Sequence, residues 1–207
     1  MSDEPLRPDP DRLLQHTAAP HRGKLKVFFG ACAGVGKTWA MLAEAQRLRA
    51  QGLDILIGVA ETHGRKETAA MLQGLSTLPP RRLAHRGRYV YEFDLDAALA
   101  RRPALILVDE LAHSNAPGSR HPKRWQDVDE LLEAGIDVFT TVNVQHLESL
   151  NDVVHQITGV RVSETVPDAV FERLRDIRLV DLPARELIER LNQGKVYLPE
   201  QAAQALQ

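Results

Sequence analysis

A chain of 207 residues with 43% hydrophobic and 26% charged residues is long enough to bury the core of one large domain, and its net charge of −2 gives no global attraction to nucleic acid or anionic membrane. A single cysteine, Cys32, excludes an intrachain disulfide and suits a reducing compartment. No apolar run approaches the roughly 20 residues needed to cross a bilayer, and the acidic, proline-rich opening MSDEPLRPDPDRLLQ is unlike a secretory signal, so the chain reads as cytosolic.

Residues 1–23 carry Pro5, Pro8, Pro10 and Pro20 with little periodicity and read as a flexible arm with one helical turn at 11–15. From Lys24 onward, apolar runs of strand length alternate with segments of helical period. LKVFF (25–29) is a buried-strand pattern, followed by WAMLAEAQRLRAQG with Met41, Leu42, Ala45 and Leu48 on one helical face and Gly52 as the stop. LDILIGVA (53–60) is the next strand and RKETAAMLQGL the next helix. Residues 76–93 read as an excursion with one short strand. Within it RRLAHRGRY mixes arginine and tyrosine, as RNA-stacking surfaces do, but the balanced charge favours a plain surface hairpin. ALILVDE (104–110) is a second continuous apolar run, and the polar loop LAHSNAPGSRHP leads to the helix KRWQDVDELLEAG, whose Trp125, Val128, Leu131 and Leu132 share a face. IDVFTTVNV is a strand, HLESLNDVVHQI a helix ending at Gly159, and IRLVDL (177–182) a last strand before the helix PARELIERLNQG, with Pro183 near its first turn. The final QAAQALQ breaks off inside a helical pattern without a cap, which suggests a piece of a longer chain. Strands alternating with helices imply an α/β fold with a mainly parallel sheet covered on both faces.

The stretch FFGACAGVGKTWAML carries the phosphate-loop (Walker A) pattern: a small residue, four free positions, then Gly-Lys-Thr. Glycines in such a loop let backbone N–H groups converge on a phosphate, and the helix that follows adds its positive dipole end. Ala33, Gly34, Val35 and Gly36 would cradle the phosphates of ATP, Lys37 would reach the outer ones, and Thr38 would offer its hydroxyl to Mg²⁺. A chance match in a chain of this size is about a one-in-fifty event, and this one lies between an expected strand and an expected helix. Ala31 stands where a glycine is usual, which is harmless if its φ stays negative. A helix N-terminus could lower the thiol pKa of Cys32, but a small residue in a small slot is the simpler reading.

The strand ALILVDE ends in Asp109, placed to hold Mg²⁺ through water, and in Glu110, the residue type that orients an attacking water or accepts a proton. Glu61, closing the strand before THGR, is the second choice of base. Gln145, following VFTTVNV, could feel the terminal phosphate, and Arg120, with Lys123 and Arg124, could neutralise charge in transfer; a plain solvated loop is the alternative. His113 and His121 lack the spacing of a zinc site. One strand between the loop strand and the Asp109 strand, the recombinase-like order, suits the placement of Asp109, Glu110 and Gln145.

With GACAGVGKTWAML, ETHGRKETAAML, the long strings DELAHSN, GSRHPKRW and TTVNVQHLESLND, and ETVPDAVFE, the chain resembles the N-terminal cytoplasmic region of the KdpD potassium-sensor histidine kinases, from about residue 4 to about residue 197. Many members carry Ala-Pro where this chain has Cys32-Ala33; that loses loop rigidity but no phosphate contact. The resemblance implies a P-loop NTPase-like domain over 24–197 and the start of a linker helix over 198–207 toward a universal-stress-like domain, membrane helices and a histidine-kinase core that lie outside this sequence. It also implies the cytoplasmic face of a bacterial inner membrane, a homodimeric full-length sensor, a response regulator phosphorylated by the kinase core, and control of a potassium pump. The implied role is a Mg-ATP-binding regulatory domain. A phosphotransferase acting on a hydroxyl of a partner protein or small molecule, a slow ATPase, and a docking module with structural nucleotide are the alternatives; neither nucleic acid nor membrane insertion is expected.

Overall fold

The computed structural model describes residues 22–159, 161–172 and 176–192. The expected arm up to residue 21 and the expected linker helix over 198–207 lie outside them. In chain order the elements are β1 (Leu25–Gly30), α1 (Lys37–Ala50), β2 (Ile55–Val59), α2 (Lys66–Ala70), β3 (Ser76–Thr77), the pair β4 (Arg81–His85) and β5 (Arg88–Glu92), and α3 (Leu95–Arg101). They continue with β6 (Leu105–Val108), α4 (Arg124–Glu133), β7 (Asp137–Asn143), two 3-10 turns (Val144–His146 and Glu148–Leu150), α5 (Asn151–Thr158), α6 (Asp168–Glu172), β8 (Asp176–Leu179) and α7 (Ala184–Asn192).

Six strands form one sheet in the order β3-β2-β6-β7-β1-β8, and all of its pairings are parallel. Strand β7 therefore separates β1 from β6, the arrangement that the placement of Asp109 and Gln145 anticipates. Alternation along the strands divides the core between two faces. Phe28, Ile57, Leu105, Leu107 and Phe139 meet Ala40, Met41, Leu42 and Ala45 of α1 on one side. Val27, Leu56, Ile106, Val108 and Val138 meet Leu95 and Ala98 of α3 and Val128, Leu131 and Leu132 of α4 on the other. Both faces are covered, which is why β6 reads as an unbroken apolar run.

Several local expectations change. The RKETAAMLQGL segment is helical only over Lys66–Ala70, and turns at 71–74 end at Gly74 with φ 75°. The final strand covers Asp176–Leu179 rather than 177–182, and all four residues are exposed on the sheet edge beside β1. The 81–92 excursion holds two antiparallel strands, joined at Arg86 and Gly87, both with positive φ as a tight two-residue hairpin turn requires. Helix α3 begins at the cap Asp94, whose carboxylate accepts the Ala97 N–H at 3.0 Å.

The arm also ends earlier than the sequence suggests. Arg22 pairs with Asp129 on α4, and the Gly23 N–H donates to the Leu132 carbonyl at 2.8 Å. A Cβ at Gly23 would lie 2.0 Å from the Ile136 carbonyl oxygen, a backbone atom with little room to yield. Gly23→Ala is therefore expected to lower stability by about 1–3 kcal/mol, the usual range for forced overpacking. Urea unfolding of the variant checks this; an unchanged midpoint would return residue 23 to a free arm.

Candidate functional site

Residues 31–36 join the carboxyl end of β1 to the N-terminus of α1. Gly34 (φ 88°) and Gly36 (φ 98°) adopt left-handed backbone that a side chain would strain, whereas Ala31 is not among the residues with positive φ. Gly30 is needed for space: a Cβ there would come within 2.7 Å of the Val35 side chain, 2.8 Å of the Val180 carbonyl and 3.1 Å of the Lys37 stem. Lys37, the first residue of α1, is buried, and its Nζ donates to the Cys32 carbonyl at 2.7 Å, so the loop curls around its own ammonium. Burial lowers the Lys37 pKa, opposed chiefly by the nearby Asp109 charge. The Cys32 thiol is pushed up, by burial first and against Lys37, so it is not an activated thiolate; it fills a small slot.

Asp109, fully buried just past β6, is where the elements meet. Its Oδ2 accepts the Thr38 hydroxyl at 3.0 Å and the Glu61 N–H at 3.0 Å. Its Oδ1 accepts the Thr141 hydroxyl and the Glu110 N–H, the latter at 3.2 Å. One carboxylate thus gathers the first turn of α1, the chain beyond β2, and the middle strand β7. Sequence reasoning missed Thr141, which looks like an ordinary β-branched strand residue; only the register that sets it beside Phe28 reveals its place.

Glu110 adopts φ 57°, an uncommon conformation for a residue other than glycine, held by its N–H bonds to Asp109 and Thr141. The half-exposed carboxylate lies 3.8 Å from the His63 ring. Its pKa is raised, most by withdrawal from bulk solvent and next by Asp109, with Arg124 opposing. Glu61 is exposed and reaches the cluster through its backbone. Gln145 lies in the turn Val144–His146 after β7, at the same carboxyl edge.

The cationic cluster 120–124 divides into three roles. Arg124 is buried beneath the site: its Nη1 donates to the Asp109 carbonyl at 2.9 Å and its Nη2 lies 3.7 Å from Glu92, which also accepts the Ala116 N–H at 2.8 Å. Lys123 donates to the Ser114 hydroxyl at 2.7 Å. Arg120, expected at the ligand edge, instead pairs with Asp96 on α3 and Glu130 on α4, and no described hydrogen bond or ion pair links it to residues 31–38. His113 faces Glu92 and His121 faces Glu130.

The oxygen donors at the loop are of the kind a hard cation takes. Thr38 and Asp109 supply a hydroxyl and a carboxylate side by side, and among the described residues no cluster of His, Cys, Asp and Glu forms an all-protein metal cage. Beside the loop opens a cleft of about 510 Å³, lined by Gly34–Gly36, Trp39, Arg65, Asp181 and Arg190 among others. Arg190 reaches across it to the Gly34 carbonyl at 3.2 Å. Trp39, Arg65 and Arg190 carry no motif signal, since an aromatic residue in a helix and arginines far apart in sequence look ordinary.

Residues 21–207 match the KdpD family, described as the osmosensitive K+ channel His kinase sensor domain. The chain is 76% identical over its whole length to the Sensor protein KdpD of Escherichia coli, of which it spans 23%. It is 50% identical over 203 residues (96% of this chain) to the Sensor protein KdpD of Clostridium acetobutylicum and 49% identical over 194 residues (94%) to that of Mycobacterium tuberculosis. The chain thus spans under a quarter of the length of these relatives, 23% and 22% for the last two. A crystal structure of Bacteroides Pif1 bound to single-stranded DNA is similar over 89% of this chain and 45% of that one, at 15% identity; its TM-score of 0.34 is too low to speak for a shared fold. Among the described residues no helix is long and apolar enough to cross a membrane.

The raised pKa of Glu110 sets a sign for pH dependence. An acid whose folded-state pKa lies above its unfolded value is stabilising below both and loses that contribution as pH rises between them. The parent should therefore lose stability relative to Glu110→Gln as pH climbs above the ordinary glutamate range of about 4. Denaturant unfolding of both proteins across that window checks it, and parallel curves would contradict it.

Proposed function

The chain belongs to the KdpD sensor-domain family, and from that premise we propose that it is a Mg-ATP-binding regulatory module, a P-loop NTPase-like domain with recombinase-like strand order. The observation that carries the reading is the meeting of Thr38 and Asp109. Two residues 71 positions apart, one in the first turn of α1 and the other just past β6, place a hydroxyl and a carboxylate 3.0 Å from each other. That is the pairing expected of a loop threonine and a strand-end aspartate that together position a nucleotide-bound Mg²⁺.

In this reading the glycine-permitted backbone at 34–36 presents N–H groups to the phosphates, reinforced by the α1 dipole. Lys37, whose side chain donates to a neutral carbonyl, would exchange the Cys32 oxygen for phosphate oxygens. Thr38 would offer its hydroxyl to Mg²⁺ and Asp109 would act through water. The metal, when bound, neutralises phosphate charge. Asp109 keeps its Thr141 and backbone donors throughout, so the carboxylate is oriented before any ligand arrives. Gln145 and Glu110 stand at the carboxyl edge, where a terminal phosphate would point.

A second reading, transfer of a phosphoryl group to a hydroxyl or slow hydrolysis, is favoured by Glu110. Its left-handed backbone and raised pKa are properties of a residue held for proton transfer. At the scale of the longer relatives, the proposed context is the cytoplasmic face of a bacterial inner membrane. There the module would report nucleotide state to an attached, dimeric histidine kinase whose response regulator controls a potassium pump.

Lys37→Ala is expected to weaken ATP binding by about 1.5–3 kcal/mol, the worth of a charge-assisted contact, read by calorimetry; unchanged affinity would sink the phosphate-loop reading. If the module turns ATP over, Glu110→Gln should bind ATP normally but release no phosphate. Labelled ATP, followed with the chain alone and with membrane extract, separates free phosphate, a labelled protein and simple binding.

A further inference from the structure

We propose that the cleft beside the loop is a nucleoside site, with Trp39 as the stacking face for the base and Arg65 and Arg190 as countercharges for the phosphate next to the nucleoside. The inference rests on the nucleotide reading above and extends it from the phosphates to the rest of the ligand.

Position is the first argument. The cleft shares Gly34, Val35 and Gly36 with the phosphate loop, so a ligand whose phosphates lie in the loop has its remaining part directed along this wall. Trp39 follows Thr38 in the first turn of α1, and the neighbouring Ala40, Met41 and Leu42 turn inward to the sheet. The indole is left 49% exposed, and it lines the cleft. A large aromatic surface in the first turn of a helix that starts at a phosphate loop is a ready platform for a flat base.

Size and charge agree. About 510 Å³ lies within the range of small-molecule sites and accommodates a nucleoside with its first phosphate. Arg65 enters from the turn before α2, and Arg190 from α7. Among the described residues Arg65 has no ion pair, and its pKa is lowered, by burial first and by Arg190 second. Two guanidinium groups facing one cleft repel each other, and an anion between them relieves that repulsion. Arg190 already touches the loop at the Gly34 carbonyl, so it is within reach of whatever the loop holds. Asp181 and Glu67 on the same lining offer acceptors to sugar hydroxyls.

The test compares ATP with inorganic tripolyphosphate, which carries the phosphates without the nucleoside. Trp39→Leu should weaken ATP binding by about 5- to 100-fold and leave tripolyphosphate binding unchanged, while Trp39→Phe keeps most of the ATP affinity. The chain has two tryptophans, so Trp125→Phe leaves Trp39 as the sole indole, excited selectively at the red edge of its band; ATP should then quench its fluorescence and tripolyphosphate should not. Arg65→Gln should lower ATP affinity while quenching persists at saturation, and unchanged affinity would remove Arg65 from the site. Equal loss of both ligands in Trp39→Leu, or no loss of either, would overturn the base site and leave the phosphate loop standing. If neither ligand binds the parent chain, the nucleotide reading itself falls and takes this one with it.

Discussion

The structure turns on one buried carboxylate. Asp109 has no exposed surface, and an ionised group in that position is tolerated only when its acceptor sites are filled. Four donors fill them: the hydroxyls of Thr38 and Thr141 and the N–H groups of Glu61 and Glu110. Each comes from a different part of the chain, so the demand of one side chain fixes how α1, the end of β2 and the strand β7 sit around the end of β6. Arg124 adds a fixed positive charge below, bound to the carbonyl of Asp109 and itself neighboured by Glu92. Removing one member of such an arrangement leaves another buried charge uncompensated, which is why these groups act as a unit.

The parallel sheet makes this cluster possible. Because every strand of the six-stranded sheet runs in the same direction, β1, β2, β6 and β7 all end on one edge, and the residues at and just past their ends converge. The apolar interior of the strands supplies rigidity on both faces, so the polar cluster is carried by a packed support rather than by mobile loops. The strain at Glu110 follows from the same geometry. Its N–H must serve Asp109 and Thr141 while the chain turns away from β6, and the positive φ is what satisfies both demands.

How much of this was legible depended on whether the signal was local. The strands LKVFF and ALILVDE and the faces of α1 and α4 were readable because periodicity and apolar content decide them within a few residues. The loop was readable because Gly34 and Gly36 answer a backbone requirement and Lys37 and Thr38 a fixed spacing. Other features were not local. Thr141 acquires its role from strand register, and Arg124 differs from Arg120 only in which of them the fold buries. Arg65 and Arg190 become neighbours only after β8 and α7 return to the loop. The short extent of α2 was hidden because its residues favour helix while the chain turns at 71–74 to reach β3.

The contact between Arg190 and Gly34 bears on how a module of this kind could report its state. A hydrogen bond from a charged donor to a backbone carbonyl joins α7 to the loop, the class of bond that phosphate oxygens compete for most directly. A ligand drawing Arg190 toward itself would pull on α7, which follows β8, a strand at the sheet edge whose four residues are exposed. A ligand that fails to engage Arg190 leaves that bond as it is. The difference between those two arrangements is the only free energy such a ligand can transmit through this segment, since a ligand shifts an equilibrium by its differential affinity and no more. In the nucleotide reading proposed above, the rigid side of the site, centred on Asp109, would hold the ligand, and the edge carrying Arg190 would register that it is held.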